Sequence, residues 1–264
     1  MTQPHGGPED ERAACGDDVG TEHVEYGVSA EFYDILQAEP DLRLITRSYG
    51  DTVAEARKGV LDVGAGSGLV TAMALGRTGA PVHAVEPAAP MRTALMSRLS
   101  ALGADARSRV TVHACTLPDS GLRDAADVAV CHNVVPTLED GERRALWRAV
   151  RRALVADGLL VLDEPPAALP EGEEVVVLGR VRVGEDEYGR TLTTAPDRGR
   201  ILTRFDYVVE RAGRRVRHHR ETFVMRPLPR ELLDAELAEA GLHPEPADPA
   251  TPSVLRFRRV GDQS

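Results

Sequence analysis

Apolar and polar positions in the middle of the chain follow the pattern of an α/β protein. Short apolar runs that predict buried strands occur at 59–64, 80–86, 109–115, 126–133 and 158–166. Segments with the helical spacing of apolar residues lie between them, at 67–77, 89–103 and 139–158. Strands that alternate with helices in this way indicate a parallel sheet joined by right-handed crossovers.

From about residue 174 the pattern changes to an alternation of apolar and polar residues, broken by turn signals such as Arg-Ala-Gly-Arg-Arg. This alternation predicts an antiparallel meander. Residues 229–242 return to helical spacing, with Pro229 at the start and Gly241 near the end. A last strand is predicted at 251–260.

These patterns divide the chain into five predicted segments. They are a disordered acidic tail at 1–22, an N-terminal helical cap at 23–57, a Rossmann-like core at 58–170, an antiparallel strand lid at 171–227, and a closing helix with the last core strand at 228–264.

Composition excludes several classes of partner. The chain has 264 residues, 42% of them hydrophobic, and a formal net charge of −10. Because binders of nucleic acid and of anionic membranes are usually basic, neither is expected as the main partner. No signal peptide and no long apolar run occur, which predicts a cytoplasmic protein. Cys15, Cys115 and Cys131 lack the spacing of a metal site, so reduced thiols and no metal are expected.

The negative charge is unevenly distributed. Residues 1–25 carry seven acids and one arginine, whereas residues 196–230 carry ten arginines and four acids. One hypothesis is that the basic lid binds a carboxylate or another anionic group through Arg204, Arg217 and Arg220. The alternative is that these arginines alternate on the solvent face of the strands.

A glycine-rich turn joins the first predicted strand to a helix, in Asp-Val-Gly-Ala-Gly-Ser-Gly at 62–68. Glycines let the backbone approach a ligand closely, and the N-terminus of the helix offers free N–H groups. Glu86 ends the next strand, where an acidic side chain can accept hydrogen bonds from ribose hydroxyls. A dinucleotide site requires a sixth-position glycine, which is Leu69 here, so an NAD(P)-dependent oxidoreductase is the disfavoured alternative.

The glycine turn resembles motif I of the class I S-adenosylmethionine-dependent methyltransferases. This resemblance implies an α/β fold with a Rossmann-like, doubly wound seven-stranded sheet, an inserted antiparallel β lid, and S-adenosyl-L-methionine as cofactor. It implies the following cofactor-binding residues: Asp62, Gly64, Ala65, Gly66, Glu86, Pro87, Met91, Cys115, Thr116 and Cys131. Cys115 departs from the family pattern, because members usually carry an acid there, and Thr116 is the substitute contact to the adenine.

Three residues are the catalytic candidates. His132 follows the strand that the resemblance places beside the sulfonium, and it is the candidate base, with a core or helix-capping histidine as the alternative. Tyr26 and Tyr33 are expected to close over the cofactor, or to pack the N-terminal helix. His218 and His219 are adjacent on a predicted strand, so only one of them can face the pocket.

The layout is similar to that of small-molecule methyltransferases, including sugar N-methyltransferases of natural-product pathways. The expected enzyme methylates a nitrogen, oxygen or carbon of a small-molecule substrate, and a homodimer is left open. A macromolecule methyltransferase is disfavoured, because the fourth strand ends in Cys-His-Asn-Val and no basic appendage is present. A protein that binds S-adenosylmethionine without catalysis stays a second alternative.

Overall fold

The computed structural model describes residues 26–261, so the predicted acidic tail at 1–22 lies outside the described residues. The helices are α1 (Ser29–Ala54), α2 (Leu69–Arg77), α3 (Ala89–Ser100), α4 (Ala104–Ser108), α5 (Asp140–Ala153) and α6 (Arg230–Glu239). The strands are β1 (Val60–Val63), β2 (Val82–Val85), β3 (Val110–His113), β4 (Ala126–Cys131), β5 (Leu154–Asp163), β6 (Glu174–Val183), β7 (Asp186–Asp197), β8 (Arg200–Arg211), β9 (Arg214–Met225), β10 (Leu242–Pro244) and β11 (Val254–Arg259). Within residues 26–261, no helix is both long and apolar enough to cross a membrane.

The core is a seven-stranded sheet in the order β10-β11-β5-β4-β1-β2-β3. Strands β1 to β5 pair in parallel, whereas β11 pairs antiparallel with β5, and β10 antiparallel with β11. The strand order reverses between β1 and β4, and in open α/β sheets ligands bind beyond the carboxyl ends of the strands at this position. The predicted doubly wound α/β fold with an antiparallel lid is confirmed.

Helices cover both faces of the core sheet. On one face, residues of α1, α2 and α3 such as Tyr49, Met73 and Leu95 form a hydrophobic cluster with the strands. On the other face, α5 and α6 contribute Trp147 and Leu233 to a second cluster. This double cover explains why every residue of β1 is buried, as is typical of a central parallel strand.

Several element boundaries differ from the predictions. The helix predicted at 139–158 ends at Ala153, and the next strand begins at Leu154 rather than near Gly158. Pairing with β4 then jumps from Ala126–Leu154 to Val128–Leu159, so the intervening residues bulge out of the ladder. Asp157, with φ of 60°, forms part of this irregularity, and Asp-Gly is a typical turn pair. The strands predicted at 109–115 and 126–133 are also two residues shorter at their carboxyl ends.

The lid sheet consists of β6 to β9 in sequential antiparallel order. Tight two-residue turns at Arg198-Gly199 and Ala212-Gly213 have positive φ at both positions, which matches the twist of a hairpin. The lid sheet packs on the N-terminal half of α1, where the Phe32 and Tyr207 rings stack with centroids 4.6 Å apart. Because the C-terminal half of α1 packs on the core sheet, this helix joins the lid sheet to the core.

Candidate active site

The glycine turn places backbone, rather than side chains, at the carboxyl end of β1. Gly64, Gly66 and Gly68 have φ values of 67°, 55° and 86°, a region that favours glycine. A Cβ added at Gly64 would lie 2.4 Å from Val134, and one at Gly68 would lie 2.3 Å from Leu95. At Gly66 the nearest atom would be the Gly64 carbonyl oxygen at 4.0 Å. Gly64 and Gly68 are therefore required by packing, whereas Gly66 borders open space that a ligand can occupy.

Glu86 is fixed beside this turn. Its carboxylate accepts the backbone N–H of Gly66 at 2.8 Å and the backbone N–H of Ala88 at 2.7 Å. The residue is 6% exposed, so the carboxylate is oriented within the site rather than in bulk solvent. Each carboxylate oxygen has more than one acceptor direction, so Glu86 can also accept hydrogen bonds from the hydroxyls of a ribose.

Asp62 lies beneath the turn and is buried at 1% exposure. The Thr71 hydroxyl donates to Asp62 Oδ2 at 2.5 Å, which ties β1 to the first turn of α2. Burial raises the pKa of Asp62 to about 7, and the charge of Glu86 adds to this rise while the Thr71 hydrogen bond opposes it. In this structure Asp62 supports the turn from below.

Stability should depend on pH through Asp62. Between about pH 4, where an unfolded aspartate titrates, and about pH 7, the folded carboxyl holds a proton that the unfolded chain has lost. The free energy of unfolding therefore falls as pH rises through this window and is level above it. Asp62→Asn, which resembles the protonated acid, should remove this fall in urea unfolding measured across the same window.

Asp127 provides the control of opposite sign. Its pKa is lowered, because backbone N–H groups of residues 57–59 outweigh its partial burial. Asp127 therefore stabilises the fold above its unfolded pKa, and Asp127→Asn should remove a rise with pH. Parallel pH profiles for the wild type and Asp62→Asn would contradict the assignment.

The predicted adenine side is formed by the segments after β2 and β3. Met91 is buried in the first turn of α3, whereas Pro87 and Thr116 are exposed and Cys115 is half-buried. The Thr116 hydroxyl donates to Asp119 Oδ2 at 2.5 Å. Asp119, three residues downstream of Thr116, thus brings an acidic side chain to this segment. This contact was not predicted from the sequence.

His132 is held by a polar network at the carboxyl end of β4. Its Nδ1 lies 3.1 Å from the Tyr49 hydroxyl and 3.5 Å from Asp163 Oδ1. Its Nε2 lies 3.1 Å from the Asn133 side-chain amide. Because the carboxylate is on the Nδ1 side, this arrangement favours the proton on Nδ1 and a lone pair on Nε2. Cys131, directly before it, is fully buried, and burial raises the pKa of its thiol, so the thiol is neutral.

An open cleft of about 540 Å³ lies beside this network. His132, Asp163 and Glu164 line it from the ends of β4 and β5, and Tyr49 lines it from α1. Acceptor-sized molecules fit a cleft of this volume.

Helix α1 brings a second polar pair to the same region. The Tyr33 hydroxyl donates to Asp41 Oδ2 at 3.1 Å. Burial raises the pKa of both groups, and at Asp41 the hydrogen bond from Tyr33 opposes the rise. Tyr33 is therefore a neutral hydrogen-bonding group near His132 rather than a base.

The other candidates lie on or against the lid sheet. Tyr26 precedes α1 and packs against Phe223 of β9 with ring centroids 5.0 Å apart. His218 faces Asp206 at 3.0 Å, and His219 packs against Phe32, so the two histidines lie on opposite faces as expected.

Sequence reasoning missed the roles of Tyr49, Asp41 and Asp163 around His132. Tyr33, Gln37 and Asp41 follow one another at intervals of four residues, which places them on one face of α1. This row of polar residues on α1 is the sequence signal by which Asp41 could have been predicted.

The central part of the chain matches a protein family model. Residues 61–160, which contain the glycine turn, Glu86 and His132, match a family model described as a methyltransferase domain. No curated protein sequence matches this chain at a significant level.

Solved structures share the fold at low sequence identity. The sugar N-methyltransferase KedS8 from Streptoalloteichus sp. is 21% identical, covers 99% of this chain and 100% of its own, and has a TM-score of 0.64. An amino pentose methyltransferase of calicheamicin biosynthesis from Micromonospora echinaspora is 22% identical, with coverages of 84% and 90% and a TM-score of 0.62. The CcbJ methyltransferase from Streptomyces caelestis is 21% identical, with coverages of 84% and 96% and a TM-score of 0.64. Residues 61–160 therefore match a methyltransferase domain, and the chain shares the fold of these solved methyltransferases.

Proposed function

We propose that this protein transfers a methyl group from S-adenosylmethionine to a nitrogen of a small molecule of the natural-product kind. The observation that carries the proposal is His132, oriented by Tyr49 and Asp163 in an open cleft at the carboxyl end of β4. The structures of similar fold include enzymes named as a sugar N-methyltransferase and an amino pentose methyltransferase, which supports a nitrogen acceptor.

The residues present fit the cofactor. Gly66 leaves open space where a side chain would otherwise stand, and Glu86 presents a buried carboxylate to ribose hydroxyls. When bound, S-adenosylmethionine supplies both the electrophilic methyl group and the leaving group, so the protein mainly positions the acceptor.

The polar groups of the cleft favour an amine. Asp163 and Glu164 place carboxylates in the cleft wall, which attract a protonated amine. An ammonium group must lose a proton before its lone pair can react. His132 Nε2 accepts this proton in exchange for the hydrogen bond from the Asn133 amide, and Asp163 stabilises the resulting imidazolium from the Nδ1 side.

Gly66→Ala is expected to weaken binding of S-adenosylhomocysteine by about tenfold or more, because the added methyl group would enter the space reserved for the ligand. The change also strains the backbone by about 1–2 kcal/mol, since alanine is poorly tolerated at positive φ. Gly121→Ala is the matched control, because Gly121 has a φ of 69° and open space around it. Calorimetric titration of both variants checks the prediction, and an equal loss of affinity in the two would contradict it.

The proposed activity is tested with matched acceptors. The full chain is incubated with S-adenosylmethionine and either an amino sugar, such as glucosamine or a larger amino-sugar natural product, or its hydroxyl counterpart. Release of S-adenosylhomocysteine and a mass increase of one methylene group in the amino sugar alone would support the proposal. Equal methylation of the hydroxyl counterpart would refute the nitrogen acceptor. Tight binding of S-adenosylhomocysteine without turnover on a broad acceptor panel would favour a non-catalytic binding protein.

A further inference from the structure

Arg190, on β7, is a buried arginine that forms no ion pair among residues 26–261, although its charge acts on the Asp41 carboxyl. It is 7% exposed, and its Nε, shielded from solvent, lacks a hydrogen-bond partner within the described chain. Nη1 donates to the Gln37 side-chain oxygen on α1, and the guanidinium carbon lies 5.3 Å from the centroid of the Phe205 ring. Buried arginines are normally paired with an anion, because an isolated buried charge is strongly unfavourable.

The other lid arginines differ from Arg190 in this respect. Arg204 and Arg220 pair with Asp206, at 3.1 and 2.9 Å, and Arg217 pairs with Glu31 at 2.6 Å. Each of the three therefore already has an acidic partner on a partly exposed surface. The hypothesis that these three arginines bind an anion of the substrate loses its support, whereas Arg190, outside the basic segment noted in the sequence, has an Nε–H without a hydrogen-bond partner in the described chain.

Arg190 faces the space between the lid sheet and α1. It pairs across the sheet with Tyr207, whose ring stacks on Phe32 of α1. From there the guanidinium reaches over Phe205, the first ring of an aromatic surface that continues to Phe223 and Tyr26. We call this surface, formed by Phe205, Phe223 and Tyr26, the aromatic floor.

The region between the lid sheet and α1 differs in charge at its two ends, with Arg190 at one end and the segment that follows His132 at the other. At the far end of β9, the Arg226 backbone N–H donates to the Pro136 carbonyl at 2.7 Å, so the lid sheet meets the segment that follows His132. Gln37, which contacts Arg190, lies between Tyr33 and Asp41 on the same face of α1. Glu221, a buried carboxylate that pairs across the sheet with Phe205, already accepts the Ser29 backbone N–H at 2.6 Å. An acceptor on the floor can therefore direct an amine toward His132 and an anionic group toward Arg190.

We infer that Arg190 binds an anionic oxygen group of the acceptor, a carboxylate or a phosphate, while a ring of the acceptor lies on the aromatic floor. A guanidinium edge with a free N–H is suited to such oxygens, and charge-assisted hydrogen bonds are strong in a site screened from water. Arg190 is a specificity-determining residue in this account, and the inference rests on the proposed function for the identity of the acceptor site.

The test observes the Arg190 Nε–H directly. Full-length protein labelled with ¹⁵N-arginine and saturated with S-adenosylhomocysteine is titrated with benzoate, with phenyl phosphate and with neutral benzamide. The Nε–H resonance is assigned by its loss in Arg190→Lys. Because the guanidinium lies over the Phe205 ring, Phe205→Leu should also shift this resonance, which gives a second assignment if Arg190→Lys folds poorly. We expect a saturable shift of this resonance with benzoate or phenyl phosphate, but not with benzamide. The anion that binds more tightly shows whether the site prefers a carboxylate or a phosphate.

Arg204→Gln is the matched control, because Arg204 lies on the neighbouring strand and is already paired with Asp206. This variant should keep the anion response, whereas Arg190→Gln should reduce the affinity for the anion by about tenfold or more. An unchanged Nε–H resonance with both anions, or an equal shift with benzamide, would overturn the inference. Binding of S-adenosylhomocysteine, measured by calorimetry on the same sample, reports separately on the proposed function.

Discussion

Replacing His132 with alanine should lower kcat by about 10²–10⁴-fold, the range attributed to a positioned proton-transfer group, with little change in the affinity for S-adenosylhomocysteine. The reason is the location of the ring. His132 lies in the cleft wall, held by Tyr49 and Asp163, and among the described residues its contacts do not include the glycine turn or Glu86. The loss should therefore appear in turnover of the acceptor, measured by release of S-adenosylhomocysteine under saturating cofactor.

His218→Ala is the matched control for this variant. His218 is also a histidine paired with an aspartate, but it lies on the opposite face of the lid sheet from α1 and contacts Asp206. Its removal should leave kcat unchanged. Asp163→Asn should give an intermediate loss and shift the pH profile of kcat, because the amide cannot stabilise the imidazolium as the carboxylate does. A His132→Ala enzyme with wild-type kcat across the pH range would disprove the assigned proton acceptor.

Replacing Glu86 with alanine should weaken binding of S-adenosylhomocysteine by about 100-fold, since hydrogen bonds to a charged group contribute about 1.5–3 kcal/mol. The variant removes the predicted acceptor of ribose hydroxyls. It also removes the acceptor of the Gly66 and Ala88 backbone N–H groups, which loosens the glycine turn itself. Calorimetric titration of the purified variant measures the loss directly.

Glu86→Gln separates these two contributions. The amide oxygen can still accept one backbone N–H, but its nitrogen cannot accept a ribose hydroxyl. We expect an affinity between those of the wild type and Glu86→Ala. If both variants bound S-adenosylhomocysteine as tightly as the wild type, Glu86 would not be the ribose acceptor.

Local sequence patterns were sufficient for most of the fold. The buried strands, the amphipathic helices and the lid hairpins each have a periodicity that is set by neighbouring residues. The end of α5 at Ala153 was misplaced because apolar residues continue without a break into β5. The three-residue β10 was not predicted, because its only strand signal is the pairing with β11, which is a tertiary contact.

The site was predictable only where it is local in sequence. The glycine turn and Glu86 are each read from a few consecutive residues at a strand end, and the structure places them in contact through the Gly66 N–H. The contact between Tyr49 and His132 joins residues 83 positions apart, and that between Gln37 and Arg190 joins residues 153 positions apart. Such contacts depend on how α1 packs between the lid sheet and the core, which no local pattern specifies.

The lid arginines show the same limit of prediction from local sequence. A count of basic residues at 196–230 indicated a positive surface, but it could not show that acidic side chains stand opposite several of them. Arg190 has no unusual local context, and only its burial without a carboxylate distinguishes it.

The most direct test of the central claim is calorimetric titration of the full chain with S-adenosylhomocysteine and, separately, with NAD⁺ and NADP⁺. A single site for S-adenosylhomocysteine that is lost in Glu86→Ala, with no heat from either dinucleotide, is the result that the glycine turn and Leu69 predict. Absence of binding to S-adenosylhomocysteine, or tighter binding of a dinucleotide, would contradict the account.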